Sequence, residues 1–255
     1  MTTTHPAPTA VHTIPGGPAA PGGIRRLGVA TVLGTLLPPG VACAEAFGPP
    51  PEGPLLGPEA EHIKGRTPRR RRQFTAARTL ARTTLTALGH PPVPLVPGPG
   101  GAPQWPEGVT GSITHTHGYT ACATAPTARL ASLGIDAEPA QPLPHGPLQL
   151  VTSEAERHHL AGLPAGRVPW DRLLFSAKEA VYKAGYPLTR RWIPLAAITV
   201  TLDRGHGFTA HHPDLPDAHR GRWTMVQNVL ITALVIPRTE EPAGQRPLPG
   251  VDAPR

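Results

Sequence analysis

Two carboxylates stand two residues apart in the segment 133–138, LGIDAE, which is predicted to be a strand. Side chains alternate between the two faces of a strand, so Asp136 and Glu138 point the same way. Like charges this close repel each other unless a cation lies between them. Oxygen ligands suit Mg²⁺, which completes its coordination with water and phosphate oxygens. The pair therefore predicts a metal site, although an ordinary solvent-facing strand edge would carry the same residues.

The predicted helix 170–184 carries Lys178, Glu179 and, one turn later, Lys183. Glu179 and Lys183 have the i,i+4 spacing that stabilises any exposed helix, so a surface ion pair would explain them. The chain has only three lysines against 21 arginines, and two of the three lie within six residues. A helix that needed only positive charge would here use arginine. The clustering therefore favours a specific role for these two lysines.

Two histidines, His115 and His117, project from one face of another predicted strand. This spacing occurs in zinc and iron sites, and together with Asp136 it would suit a metallohydrolase. Gly118 follows directly, which places His117 at the edge of a turn. His115, inside the strand, is the better functional candidate.

The first of the helices that could position these groups is predicted to begin at Thr67-Pro68, an N-cap followed by proline, and to end at Gly89. Its apolar residues recur every three or four positions and predict a buried stripe. Arg71, Arg78 and Arg82 fall on another face, where a solvated charged surface is the ordinary interpretation.

Strands are predicted on both sides of that helix. The segment 32–47 precedes it, and the segment 111–125 is predicted to be a hairpin that turns at His117-Gly118. The strand 131–138 follows directly. We therefore expect the two strands of this hairpin and the strand 131–138 to form one antiparallel sheet.

The second helix, 170–184, is predicted to end at Gly185 and Pro187. Four further strands are predicted at 198–202, 208–210, 221–226 and 229–236. Helices and antiparallel strands in separate runs predict the α+β class.

The composition limits the classes of protein to which the chain can belong. The chain has 255 residues with 36 prolines and 28 glycines, which concentrate towards the ends and predict tails at 1–23 and 239–255. The chain has two cysteines, and their spacing is typical of neither a metal site nor a disulfide motif. This fits a reducing compartment. Arg25-Arg26 before a short apolar run imitates a twin-arginine export signal, but Pro38-Pro39 interrupts the run. We therefore expect a cytoplasmic protein without a membrane span.

Three segments, in this order, resemble the motifs of 4′-phosphopantetheinyl transferases of the type that acts on carrier proteins of secondary metabolism and siderophore synthesis. They are GSITH at 111–115, LGIDAEP at 133–139 and WDRLLFSAKEAVYK at 170–183. The resemblance covers roughly residues 33–237. It implies two similar α+β halves, 24–125 and 126–238, related by a pseudo-twofold, with the active site in the cleft between them.

The resemblance also implies a reaction, a cofactor and a set of residues. The enzyme would move 4′-phosphopantetheine from coenzyme A to a serine of an acyl or peptidyl carrier protein, with Mg²⁺, and release adenosine 3′,5′-bisphosphate. Glu179, directly or through a metal-bound water, would act as the base, and Lys183 would assist the transfer. The implied metal ligands are Asp136, Glu138 and Glu179, and the implied coenzyme A contacts are Arg70, Arg78, Thr114, His115, Lys178 and Lys183. A monomer that binds neither nucleic acid nor membrane is expected.

The chain departs from the family pattern at three places. The loop 98–101, GPGG, lacks the basic residue often found there, Gly185 replaces a large aromatic residue, and Thr116 replaces a cysteine. These departures concern the affinity and the shape of the coenzyme A pocket.

The alternative from another class is a basic nucleic-acid-binding protein, suggested by a net charge of +7 and the arginine run 69–72. Aromatic residues make up only 4% of the chain, and none alternates with that run. The stacking residues that single-strand recognition uses are therefore missing.

Overall fold

The computed structural model describes residues 31–144 and 146–238, and the predicted tails 1–23 and 239–255 lie outside this part of the chain. The helices are α1 (Gly57–Ile63), α2 (Pro68–Ala87), α3 (Pro147–Val151), α4 (Glu154–Ala161) and α5 (Trp170–Thr189). The strands are β1 (Ala42–Phe47), β2 (Val109–Thr116), β3 (Tyr119–Pro126), β4 (Leu130–Pro139), β5 (Thr199–Leu202), β6 (Gly207–His211), β7 (Ala218–Val226) and β8 (Val229–Pro237). The predicted α+β class is confirmed.

The first sheet is antiparallel in the order β1-β3-β2. Its hairpin β2–β3 turns at His117 and Gly118 as predicted, and Thr116 pairs with Tyr119 across the turn. The predicted first strand was too long, because Leu33–Leu36 forms a 3₁₀ turn and only Ala42–Phe47 is extended. The buried carboxylate of Glu45 accepts the Leu33 backbone N–H at 3.0 Å, which holds that turn against β1.

The second sheet has the order β4-β8-β7-β6-β5. The prediction that β4 continues the sheet of the β2–β3 hairpin was wrong, since β4 pairs with β8. Strand β4 is buried along most of its length, and so is β8. Strand β8 therefore pairs with β4 through the backbone and places apolar side chains beside it. Strand β2 instead borders β4 through side chains: the Ile135 N–H donates to Ser112 Oγ at 3.1 Å and the Ala137 N–H to Thr114 Oγ1 at 3.0 Å.

Each sheet carries one helix of 20 residues, α2 on the first and α5 on the second. The prediction that α5 ends near Gly185 was wrong, because the helix continues through Pro187 and ends where Arg190 adopts a left-handed conformation with φ of 54°. Tyr186 is buried at that end, so its apolar contacts stabilise the last turn despite the proline. At Gly134 of β4 a side chain would overlap the Ala180 carbonyl, which allows α5 to lie directly on the strand.

One apolar cluster fills the space between the two sheets, and a second lies between α5 and the outer strands of the second sheet. The first includes Tyr119, Leu133 and Ile231, and the second includes Leu174 and Phe208. None of the helices in the described ranges combines the length and the apolar character needed to cross a bilayer. The packing leaves β2, β4 and α5 side by side, where the first half meets the second.

Candidate active site

A cavity of about 830 Å³ lies where the two sheets meet. One wall is formed by residues 98–105 and 109–113, from the loop before β2 and from β2 itself. The other wall is α5, which contributes Glu179, Tyr182 and Lys183. Strand β2 and helix α5, which carry the first and third sequence motifs, therefore line the same cavity.

Asp136 lies beside this cavity, and it is only 5% exposed. Its Oδ1 accepts a hydrogen bond from Lys183 Nζ at 2.6 Å, and its Oδ2 accepts one from Ser176 Oγ at 2.9 Å. Thr114 Oγ1 donates to Oδ1 at 3.3 Å. Buried charges persist in proteins only when they are paired and hydrogen-bonded, and these contacts meet that requirement. Asp136 is thus held by one residue of β2 and by two residues of α5 that lie two turns apart.

The hydroxyl of Thr114 is used within the protein. It accepts the Ala137 N–H at 3.0 Å and donates to Asp136, and the side chain is buried. A threonine hydroxyl has one proton to donate. In this structure Thr114 therefore holds Asp136. The predicted contact with a phosphate of coenzyme A would need the same hydroxyl proton, which Thr114 here donates to Asp136.

Glu138, two residues further along β4, accepts a hydrogen bond from Arg172 at 2.9 Å through Oε2. Arg172 also donates to the carbonyl oxygens of Gln141 and Pro142, at 3.1 Å each. Burial and the neighbouring Asp136 raise the pKa of Glu138, and Arg172 acts in the opposite direction. The sequence analysis missed Arg172, whose only signal was its place in the third motif.

Glu179 reaches the cavity from the opposite side. Burial and then the charge of Asp136 raise the pKa of Glu179, while Lys183 opposes the shift. Asp136 is therefore electrostatically coupled to both glutamates. Within residues 31–144 and 146–238, however, no three His, Cys, Asp or Glu side chains converge closely enough to hold a metal ion in the arrangement seen.

A basic group lies at the N-terminal end of α2. Arg70 approaches His115, with the guanidinium nitrogen 3.5 Å from Nε2. Burial lowers the pKa of His115, and the charges of Arg70 and Lys183 lower it further, against the effect of Asp136. Positive charges that gather around a partly buried imidazole favour an anion at this position. His117, by contrast, is exposed at the hairpin turn.

Lys178 is not brought to the cavity. Its side chain is 0% exposed, and its ammonium donates to Glu156 at 2.8 Å and to the carbonyl oxygens of Val151 and Leu195 at 2.6 and 3.2 Å. Neighbouring residues on a helix project about 100° apart, so Lys178 faces the interior when Glu179 faces the cavity. The ammonium of Lys178 is therefore bound inside the protein in this structure, and its contact with coenzyme A stays a prediction.

Arg78 is likewise turned inward, and it is only 5% exposed. Its Nε donates to the Leu95 carbonyl at 2.5 Å, and its guanidinium lies 4.1 Å from the centre of the Phe74 ring. Burial lowers the pKa of Arg78 to about 10, against the opposite effect of Glu59. This arginine packs α2 against the loop before β2, and its contact with coenzyme A likewise stays a prediction.

The interior behind Asp136 contains a further hydroxyl pair that the sequence analysis did not identify. Ser176 Oγ lies 2.9 Å from Thr232 Oγ1, and Thr232 donates to the Ser176 carbonyl at 3.0 Å. Both side chains are fully buried. The pair fixes the serine that donates to Asp136, and a lone serine in an apolar helix gave no signal of this role.

Gly100 lines the cavity, whereas Gly185 of α5 is buried beside His212. Gly100 has φ of 68°, and a side chain there would overlap the hydroxyl of Tyr186. A side chain at Gly185 would overlap the imidazole of His212, which is 2% exposed. His212 therefore occupies part of the space that a larger residue at position 185 would need.

Comparisons with known proteins agree with this arrangement. Residues 58–125 match the model of the 4′-phosphopantetheinyl transferase N-terminal domain, and residues 132–235 match that of the 4′-phosphopantetheinyl transferase superfamily. The chain is 42% identical to the 4′-phosphopantetheinyl transferase Svp of Streptomyces mobaraensis, over 80% of this chain and 89% of the relative. It is 36% identical to PptT of Mycobacterium tuberculosis, over 82% and 99%, and 40% identical to Npt of Nocardia iowensis, over 80% and 99%.

The first family model covers α2, β2 and β3, and the second covers α5 and most of the second sheet, so together they include both walls of the cavity. The nucleic-acid-binding and metallohydrolase alternatives have no comparable support. On the three motifs, the shared architecture and these matches, the chain belongs to the 4′-phosphopantetheinyl transferase family.

Proposed function

We propose that this chain transfers 4′-phosphopantetheine from coenzyme A to a serine of an acyl or peptidyl carrier protein in a Mg²⁺-dependent reaction that releases adenosine 3′,5′-bisphosphate. The observation that supports this most strongly is the buried Asp136 between the halves, faced by Lys183 and Glu179 of α5. Carboxylates, an ammonium group and a cavity of about 830 Å³ provide the groups and the space that a nucleotide pyrophosphate needs.

Asp136, Glu138 and Glu179 would hold the metal ion. The donor set fits Mg²⁺, because it consists of carboxylate oxygens alone. Burial and then the charge of Asp136 raise the pKa of both glutamates, and a cation would relieve that repulsion. When bound, Mg²⁺ would supply positive charge to the pyrophosphate as the leaving oxygen becomes charged. Arg172 would keep one oxygen of Glu138 engaged and leave the other for the cation.

Lys183, His115 and Arg70 would bind the phosphates of coenzyme A. Arg70 and His115 approach each other at the end of the cleft, and Lys183 lines the cavity on the α5 side. Fixed positive groups around a phosphate stabilise the charge that develops during transfer without reorganising at that moment. Lys178 and Arg78 have no part in this proposal.

Glu179 would take the proton of the carrier serine. The serine oxygen forms a bond to the phosphorus that carries pantetheine, the pyrophosphate P–O bond breaks, and adenosine 3′,5′-bisphosphate leaves with the electron pair. A carboxylate acts as a general base when it can come within hydrogen-bond distance of the hydroxyl proton that it accepts. The place of Glu179 on the cavity wall gives it access to an incoming hydroxyl.

The partner and the assembly follow from the same geometry. The arginines at 69–72 are exposed at the start of α2 and would attract an acidic carrier protein. Strands β2 and β4 and helices α2 and α5 of one copy contribute all the proposed groups, so we propose an active monomer with halves at 24–125 and 126–238. Coenzyme A as the substrate fits a cytoplasmic enzyme.

The experiment is an intact-mass measurement on an apo carrier protein incubated with the enzyme, coenzyme A and Mg²⁺. We expect a gain of one phosphopantetheinyl group and an equal amount of adenosine 3′,5′-bisphosphate by chromatography. A carrier with its serine replaced by alanine is the matched control and should stay unmodified. Transfer that persists undiminished with excess chelator would contradict the metal part of the proposal, and an unmodified carrier with Mg²⁺ present would contradict the whole.

A further inference from the structure

The shortest contact of the candidate site joins Lys183 Nζ to Asp136 Oδ1, at 2.6 Å. Lys183 has one other hydrogen bond, to the Ile135 carbonyl at 3.3 Å, and its side chain is 28% exposed. The ammonium group thus lies on an oxygen of the carboxylate that the proposed function assigns to the metal. Two cations do not share one carboxylate oxygen at bonding distance without strong repulsion.

We infer that Lys183 exchanges between two anions: it neutralises Asp136 before the metal binds and moves to a phosphate of coenzyme A afterwards. This inference rests on the proposed function. It gives a carboxylate that is 5% exposed a cationic partner before the metal binds, which a buried charge needs. It also makes Lys183 a competitor of the divalent cation, in addition to a phosphate contact.

The surroundings of Lys183 allow this movement. A lysine ammonium is a compact charge on a flexible stem, and this one already lines the cavity in which coenzyme A would lie. Lys178, five residues earlier on the same helix, differs from Lys183. It is fully buried and held by one carboxylate and two carbonyl oxygens. Lys178 is therefore fixed, and Lys183 can leave Asp136 when a stronger cation takes its place.

The test is the affinity for Mn²⁺, a paramagnetic substitute for Mg²⁺, measured by electron paramagnetic resonance without coenzyme A. Removing the competing ammonium in Lys183→Met should tighten Mn²⁺ binding about tenfold, because a unit charge a few ångströms from the metal is lost. Lys64→Met is the matched control. Its ammonium is exposed and pairs with Glu61 in another part of the molecule, so its Mn²⁺ affinity should equal that of the wild type.

The second readout is coenzyme A binding at a fixed Mn²⁺ concentration, which Lys183→Met should weaken while it tightens the metal. Opposite changes in the two affinities support the exchange, and Lys183→Gln should reproduce them. Equal Mn²⁺ affinities for wild type and Lys183→Met would overturn it, even where transfer depends on Mg²⁺ and the proposed function stands. Failure of the metal part of the proposed function has a different signature: neither protein binds Mn²⁺, and transfer proceeds unchanged with chelator. Failure of the whole proposed function appears as a carrier protein that stays unmodified with Mg²⁺ present.

Discussion

Lys178 and Glu156 form a buried ion pair, with Nζ and Oε2 2.8 Å apart and neither side chain more than 3% exposed. Glu156 also accepts the N–H groups of Ser153 and Val200, at 2.8 and 2.9 Å. The pair therefore joins α5, the start of α4 and β5. Glu179 follows Lys178 directly and faces the cavity, so the same helical turn carries an internal anchor and a candidate catalytic group.

Replacing Lys178 should damage stability rather than the use of coenzyme A. Lys178→Met leaves Glu156 charged and buried without its partner, a change that typically costs about 3–5 kcal/mol of unfolding free energy. Denaturant titration measures the loss, and Glu156→Gln should show a similar one. Lys178→Met combined with Glu156→Gln should lose less than the sum of the two. Wild-type stability together with a raised KM for coenzyme A would restore the phosphate-binding interpretation of Lys178.

Glu179→Gln should abolish transfer and at the same time stabilise the free protein. The raised pKa of Glu179 means that folding disfavours its charged form. Removing the charge should raise the unfolding free energy at neutral pH, which differential scanning calorimetry would detect as a rise in Tm. The exposed Glu107 provides the control Glu107→Gln, which should leave both properties unchanged.

The pH dependence of this stabilisation has a definite sign. A carboxyl whose pKa is raised in the folded protein contributes its stability when protonated and loses it as the pH rises through the folded pKa. The advantage of Glu179→Gln should therefore be largest above neutral pH and shrink as the pH falls through the raised pKa. An advantage that grows on acidification would show that the carboxylate is stabilised, and not strained, in the free protein.

Coenzyme A binding should be accompanied by proton uptake at His115. Burial and nearby positive charges lower the pKa of His115 in the free protein, and a bound phosphate would raise it again. Calorimetry near pH 6.5 in buffers of different ionisation enthalpy measures the protons exchanged. The phosphate groups titrate in the same range, so His115→Gln serves as the reference. Equal proton uptake by both proteins would place the phosphates away from His115.

The pair formed by Gly185 and His212 predicts a coupled effect on stability. A tryptophan at position 185 would overlap the His212 ring, and overpacking of this kind costs about 1–3 kcal/mol. His212→Ala provides space, so the double variant Gly185→Trp/His212→Ala should be more stable than the sum of the single losses predicts. Additive losses in denaturant titrations would show that the two positions do not share this space.

Much of the fold could be predicted from periodicity and turn residues. The residues Thr67-Pro68 correctly marked the start of α2, and His117-Gly118 correctly marked the β2–β3 turn. The partner of β4 was predicted wrongly, because local sequence does not reveal that β8, some 100 residues later in the chain, supplies its backbone hydrogen bonds. Pairing between distant strands depends on packing that forms only in the folded chain.

The inward positions of Lys178 and Arg78 have a common cause. Lys178 lies four residues after Leu174 and three before Val181, and Arg78 stands in the same relation to Phe74 and to the buried Ala81. Both basic residues thus lie on the buried side of their helices. The sequence-based interpretation instead grouped Arg78 by charge with Arg71 and Arg82 on a solvated face, so residue type was given more weight than spacing from the apolar residues.

The most direct test of the account is the rate of phosphopantetheinyl transfer by Asp136→Asn, followed by intact mass of the apo carrier protein at saturating Mg²⁺ and coenzyme A. Asparagine keeps the shape of the side chain beside Ser176 and Lys183 but removes the charge that would hold the metal. We predict a loss of more than roughly 100-fold, the upper range for groups that merely support a metal ligand. A transfer rate equal to that of the wild type, from a variant with an unchanged circular dichroism spectrum, would contradict the assignment of Asp136 and of the cleft as the active site.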